Sequence, residues 1–566
     1  MKSSHRAAVC LRGVSTILVA VAFAANARAE VVLNSFPGPA TNLRFGRAVA
    51  GGGDVDGDGH ADVIVGGCNS AVPGLVRVFS GSTGAILFEL TSTTPSELFG
   101  ASVCIVGDVD GDGHADFAVG LPGWSGNPIN AGQVRMYSGA DGSLLYTFTG
   151  NHQADGLGYC LAAAGDVDGD GFPDLIVGTP DSSAAWTHAG LARVYSGHTG
   201  ATLFTFYGSA TGDGLGISVS GGGDIDGDGH AEVIVGAWQI AGSGTLTGYA
   251  RVFSGLDGSI LRQFTGLGIS DRFGVSVAGI HDLDGDGIPD FAVGAPYNDA
   301  NGNNAGMVQV FSGSNGGVIR TLLGPGPDAQ FGFSVASPGD LDGDQLPELI
   351  VGAPNETSSN LTQAGTVRFF RGSDAAVFEV FHGYSDFDFF GTTLAAAGDV
   401  DGDGSTDFIV GIPGDDPQGA ESGSARLISG RLGTASNFCM STPNSTGFSA
   451  TIGYLGSLSV GANQFTLTTT GVPSHVFGLF FYSQTQGFAP LGNGYRCLGG
   501  HLFRLPPVQA VNGVLTRSVD FNNLPINGAI LPASTWNFQC FYRDPAPPAA
   551  PYFFNLSDGL TASFTL

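Results

Sequence analysis

One acidic phrase, repeated seven times at nearly constant spacing, constrains this chain more than any other feature. It reads DVDGDGHAD from Asp54 and from Asp108, DVDGDGFPD from Asp166, DIDGDGHAE from Asp224, DLDGDGIPD from Asp282, DLDGDQLPE from Asp340 and DVDGDGSTD from Asp399. Successive copies lie 54, 58, 58, 58, 58 and 59 residues apart. A period held this tightly means one supersecondary unit stacked on copies of itself. Each unit opens with an F-G or L-G pair: Phe45-Gly46, Phe99-Gly100, Leu157-Gly158, Leu215-Gly216, Phe273-Gly274, Phe331-Gly332 and Phe390-Gly391. A short strand leads into the acidic loop, and an apolar strand such as Val63-Ile64-Val65-Gly66 follows it. After a variable loop come a third strand such as Arg193-Val194-Tyr195, a Ser-Gly turn and a fourth strand such as Leu203-Phe204-Thr205-Phe206. This pattern predicts a four-stranded antiparallel meander. Seven meanders arranged radially make an all-β, seven-bladed propeller with few exposed edges.

The ends of the repeat predict how the ring closes. Val31 to Phe36 precede the first F-G pair, where every later unit has its fourth strand, and no fourth strand follows Ala425 to Ser429. The N-terminal strand is therefore expected to complete the last blade and remove an edge that would otherwise be open to pairing.

With these elements in place, the unit resembles the FG-GAP repeat of integrin α-chain propellers and of related secreted bacterial proteins. The F-G pairs and the Gly294-Ala295-Pro296 and Gly352-Ala353-Pro354 elements carry the resemblance, over roughly residues 31–435. Two units depart from it, with Cys68 and Trp238 standing where others have proline. Integrin propellers use the face that bears the F-G segments, so the resemblance implies a ligand-binding role for that face.

The loops themselves predict calcium. Positions 1, 3, 5 and 9 carry carboxylates throughout: Asp54, Asp56, Asp58 and Asp62; Asp108, Asp110, Asp112 and Asp116; Asp166, Asp168, Asp170 and Asp174; Asp224, Asp226, Asp228 and Glu232; Asp282, Asp284, Asp286 and Asp290; Asp340, Asp342, Asp344 and Glu348; Asp399, Asp401, Asp403 and Asp407. A hard cation that takes six to eight oxygens suits such alternation. Position 7 varies (His60, His114, Phe172, His230, Ile288, Leu346, Ser405), as expected of a backbone carbonyl ligand, so the histidines are not read as ligands. An EF-hand would need Glu at position 12, where all seven loops have valine, from Val65 to Val410. Simple Asp-Gly turns would not need four carboxylates per loop, which repel by about 1 kcal/mol per pair even in water. About seven calcium ions are expected, with site six weakest because Gln345 replaces glycine at position 6.

The remaining composition narrows the function. A formal charge of −29 excludes phosphate neutralisation as a binding mode and so excludes nucleic acid. It also argues against docking on an anionic membrane. Lys2, Arg6 and Arg12, the apolar run Val14 to Ala25, and Ala27-Arg28-Ala29 predict a signal peptide spanning 1–29, cleaved after Ala29, and hence a secreted or cell-surface protein without a transmembrane segment. Arginine recurs on the third strand at Arg77, Arg135, Arg193, Arg251, Arg368 and Arg426, and is expected to make structural bonds between blades.

The propeller is expected to span 30–436 and a C-terminal β-sandwich domain 437–566, where alternating stretches such as 464–470, 476–482 and 536–542 read as strands. Cys439 and Cys497 are the expected disulfide. No G-x-S-x-G, H-E-x-x-H or P-loop occurs, so the chain reads as a non-enzyme: an adhesion or ligand-binding module for an extracellular protein or glycan. A structural cell-surface part and a propeller enzyme acting on polysaccharide are the alternatives. Trp124, Trp186, Trp238 and Tyr297, in the second-to-third-strand loops of consecutive blades, are the expected ligand contacts.

Overall fold

The computed structural model describes residues 32–563 apart from 240–245, 342–343, 359–360, 431–435, 439–443, 446–449, 456–464, 492–493, 512, 526–527, 532–533 and 545–553. The N-terminal 31 residues, with the expected signal peptide, lie outside the described residues. Among the described residues no helix is long and apolar enough to cross a membrane.

Seven four-stranded sheets form in the predicted order. Blade 1 comprises Ala48–Gly53, Asp62–Asn69, Val72–Phe79 and Ile86–Thr91, each paired antiparallel with the next. Blades 2 to 6 repeat this arrangement. Blade 7 takes three strands from Thr393–Gly398, Asp407–Ile412 and Ser424–Ile428, and its outer strand is Val32–Pro37, in register with Ser424–Ile428. The N-terminal strand thus closes the ring as expected. The first strands of successive blades neighbour one another in an unbroken cycle, which places them around the axis.

Why the blades seat together follows from small residues at the seams. The glycine of each second strand lies against the carbonyl of the next blade's F-G glycine: a Cβ at Gly178 would collide with Gly216, and one at Gly236 with Gly274. The residue two after that F-G glycine in turn reaches the following blade. Ser102 donates to Gly158 O at 2.7 Å, Ser218 to Gly274 O and Ser276 to Gly332 O at 2.8 Å, Ser334 to Gly391 O at 2.7 Å, and Thr393 to Gly46 O at 2.9 Å. Cys160 makes the weaker thiol version to Gly216 O at 3.2 Å. Ala48, at the same position in blade 1, has no group to donate. Buried apolar residues of neighbouring sheets fill the space between, as Phe117, Val103 and Ile64 do between blades 1 and 2.

Beyond the propeller, two sheets enclose one core. Thr466–Thr470 pairs with Thr451–Leu455 and Leu515–Ser518, while Phe477–Ser483, Thr535–Arg543 and Phe554–Ser563 form the larger sheet. Leu467, Leu515, Phe480, Trp536 and Phe538 meet between them. Cys497 is disulfide-bonded; its expected partner Cys439 lies outside the described residues.

Candidate metal centres

Each acidic loop connects the first and second strands of a blade, so all of them emerge at one end of the ring. Position 1 organises the turn. The Asp54 carboxylate accepts the amides of Gly57 (2.7 Å), Asp58 (3.1 Å) and Gly59 (2.8 Å), and Asp108, Asp166 and Asp282 do the same in their loops. Position 9 anchors the loop from below. One oxygen of Asp62 accepts from Val55 N at 2.7 Å and the other from Gly81 N, in the Ser-Gly turn, at 2.9 Å. Glu232 and Glu348 reach the same two kinds of partner despite the extra methylene. Position 9 is therefore a structural staple as well as a prospective ligand, a role the spacing alone did not reveal.

The donor sets fit a hard divalent cation. Carboxylate oxygens of Asp54, Asp56 and Asp58 lie within 4.8 Å of one another, as do those of Asp108, Asp110 and Asp116, and of positions 1, 3 and 9 in the loops from Asp166, Asp224 and Asp282. Burial pushes the position-9 carboxyls of Asp62, Asp116, Asp174 and Asp290 up to about 6, and that of Asp407 to about 8. Neighbouring carboxylates push the same way, and a divalent cation beside them would restore the charged form. Asp342 of loop 6 lies outside the described residues.

Loop 6 shows the strain its sequence predicted. Gln345 holds φ at 73°, in the left-handed region, where the other loops have glycine, for example Gly287 at 88°. Gln345→Gly is expected to stabilise the protein by roughly 0.5–1 kcal/mol, the left-handed penalty less the extra unfolded-state freedom of glycine. Urea denaturation at saturating calcium checks this, and a destabilised variant would contradict it.

The opposite end of the ring carries the F-G segments and the second-to-third-strand loops. There a cavity of about 900 Å³ opens among blades 1, 2, 3, 6 and 7, lined by residues including Arg44, Arg47, Tyr159, Phe333, Phe387 and Phe389. None of the four expected ligand aromatics lines it. Trp124 is half-buried against the core between blades 1 and 2. Trp186 stands exposed. Trp238 and Tyr297 flank the Arg272 guanidinium, at 5.8 and 4.2 Å from their ring centres.

Sequence reasoning also passed over a second set of acids, two residues before the F-G or L-G pair. Asp155, Asp213, Asp271 and Asp388 are all buried. Asp213 accepts from Ser209 N, Ala210 N, the Tyr249 hydroxyl and Gln239 Nε2. Asp155 binds the backbone of Asn151 and His152 and the Ser182 hydroxyl. Asp155, Asp213 and Asp271, the last through Asn298 Nδ2, fasten the entry to the first strand onto the second-to-third-strand loop of blades 3, 4 and 5, while Asp388 accepts from Tyr384 N and Ser385 N just before it. Their recurrence at one offset from the F-G pair was the available signal. The third-strand arginines bond largely within blades: Arg77 pairs with Glu89 on the adjoining strand and Arg368 with Glu356. Contacts beyond the blade are made by Arg251, to the Ser209 hydroxyl, and Arg426, stacked over Tyr384.

Comparison with known proteins agrees with this architecture. Residues 161–196, 273–311, 331–370 and 390–428 match the FG-GAP repeat, and residues 54–119 match an FG-GAP-like repeat. The chain is 31% identical to integrin alpha-5 of Xenopus laevis over 280 residues, covering 47% of this chain and 21% of that protein. It is 32% identical to integrin alpha-V of Gallus gallus over 212 residues (35% and 20%) and 32% identical to integrin alpha-IIb of Homo sapiens over 233 residues (37% and 21%). The match spans about a fifth of the length of these relatives, which are integrin α-chains. The chain carries an integrin-α-like FG-GAP β-propeller.

Proposed function

We propose that this protein is a secreted, calcium-binding propeller that acts as an adhesion or ligand-binding module at the cell surface. One observation carries the reading: the acidic loops occupy one end of the ring and the opposite end, with its cavity, is left to loops that vary between blades. Cations on one side would fix the scaffold while the varied side meets a partner, in keeping with function carried on loops of a rigid frame. The resemblance to integrin α-chains favours a protein ligand. Within this reading the side chains at positions 1, 3, 5 and 9 hold about seven calcium ions, and Trp124, Trp186, Trp238 and Tyr297, on the loops of consecutive blades at the opposite end, contribute to the ligand face, with Trp186 the exposed one among them.

The test has two parts. Metal analysis after dialysis against millimolar calcium should find about seven ions per chain, and a stoichiometry near zero would remove the calcium reading. Capture of extracellular protein by the immobilised chain should be lost in Trp186→Ala with calcium content and melting temperature unchanged. Capture undiminished by that substitution would take Trp186 out of the ligand face, and failure to retain any extracellular protein or glycan would remove the adhesion reading.

A further inference from the structure

The acidic loops do not stand apart from one another. At position 7 of loop 2, the His114 ring lies against Gly57 of loop 1, close enough that a Cβ there would overlap it. Its Nδ1 is 2.9 Å from the Val55 carbonyl. A carbonyl only accepts, so Nδ1 carries the proton and donates. The next residue, Ala115, donates its amide to the Asp54 carbonyl at 2.8 Å. Loop 4 grips loop 3 in the same way. His230 covers Gly169 and bonds Val167 O at 2.8 Å, and Ala231 N bonds Asp166 O at 2.8 Å.

Other seams hold only part of this set: between loops 2 and 3, His198 of the Ser-Gly turn stands 3.3 Å from the Val109 carbonyl, but position 8 is Pro173 and gives no amide. At the closure seam His60 packs on Gly402 and Ala61 N reaches Asp399 O at 3.3 Å, but His60 Nδ1 has no partner. Between loops 4 and 5, position 7 is Ile288 and position 8 is Pro289, which has no amide to donate. Gly227 of loop 4 is accordingly uncovered.

We propose that His114 and His230 couple cation binding in adjacent blades, so that loops 1 and 2, and loops 3 and 4, load as pairs while loop 5 loads independently of loop 4. This rests on the calcium reading above. Position 7 offers its own loop a backbone carbonyl, and the ring of the same residue holds the backbone at position 2 of the preceding loop, beside the ligand at position 1. Fixing the His114 backbone when loop 2 fills also fixes Val55 and Asp54, so loop 1 has less freedom left to lose when it fills. The effect is reciprocal.

Hydrogen exchange followed by mass spectrometry on the full chain, with free calcium varied, reads the protection midpoint of each loop separately. Asp110→Asn, which cripples loop 2, should move the midpoint of residues 54–62 to about fivefold higher calcium or more. Asp284→Asn, which cripples loop 5, should leave residues 224–232 unmoved. His114→Phe keeps a ring on Gly57, as Phe172 does on Gly111, but removes the donor. In that background the Asp110→Asn shift should vanish, while melting in chelator stays at the parent value. Equal shifts at the two seams, no shift at loop 1, or a shift that survives His114→Phe would overturn the coupling. Protection in every loop with independent midpoints overturns the coupling alone; no calcium-dependent protection anywhere overturns the calcium reading with it.

Discussion

Removal of Val32–Pro37 should leave no soluble, cooperatively folded protein. These six residues are the outer strand of blade 7, in register with Ser424–Ile428. Phe36 is buried and stacks on Phe79 with ring centres 4.1 Å apart. Leu33 packs against both the propeller cluster around Phe36 and the core of the C-terminal sheets. Loss of the Phe36 ring alone is expected to cost about 3–5 kcal/mol, against a total stability of roughly 5–15 kcal/mol for a typical protein. The full deletion adds the lost ladder and an exposed strand edge free to pair with other molecules. Size-exclusion chromatography and thermal melting of the truncated chain and of Phe36→Ala check this. The point variant should melt early but remain monodisperse, and the truncation should aggregate. A soluble truncated chain with the parent melting temperature would refute the closure argument.

Chelation should produce the second large effect. A site that binds only the folded state adds about 2.7 kcal/mol when free calcium is 100 times its dissociation constant. Seven such sites on a ring of this size correspond to a fall in melting temperature on the order of 20 °C when calcium is withdrawn. Magnesium should restore little of it, because it demands near-octahedral geometry and gives up its waters reluctantly. Asp168→Ala should remove more of the calcium-dependent stability than Asp344→Ala, since loop 6 already carries the strained Gln345. Calorimetry with and without chelator decides the matter; a shift of less than about 2 °C would mean that the loops fold and hold without metal.

The fold was legible because its information is local and repeated. Strand, loop and turn recur in each unit, and counting units against strands foretold that Val32–Pro37 must serve blade 7. The prospective metal ligands were legible for the same reason, as alternation within nine residues. What escaped the sequence depends on which unit lies beside which. Position 7 looked free to vary because its backbone was taken to be its only function, yet His114 and His230 each meet a carbonyl about one repeat earlier in the chain. Position 9 looked like a ligand only, although its carboxylate also ties the acidic loop to the Ser-Gly turn. The offset of Asp213 from its L-G pair is visible in the sequence, but the Tyr249 hydroxyl, Gln239 and two amides that the fold gathers around it are not. The cavity draws residues from five blades, and no single unit contains enough of it to be recognised.

The strand at Val32–Pro37 also sets the order in which the molecule can be completed. During synthesis it emerges before any of the blades, yet its partner at Ser424–Ile428 emerges only after the first six blades are complete. Until then six sheets can form, but the ring has no clasp. A ribosomal product that stops short of residue 424 would keep an unpaired terminal strand and an open seam, however well its finished blades had folded. The closure therefore works as a length check: only a chain read through to the seventh repeat can hide both ends of its propeller, and incomplete copies expose the edges by which a protease or chaperone can single them out.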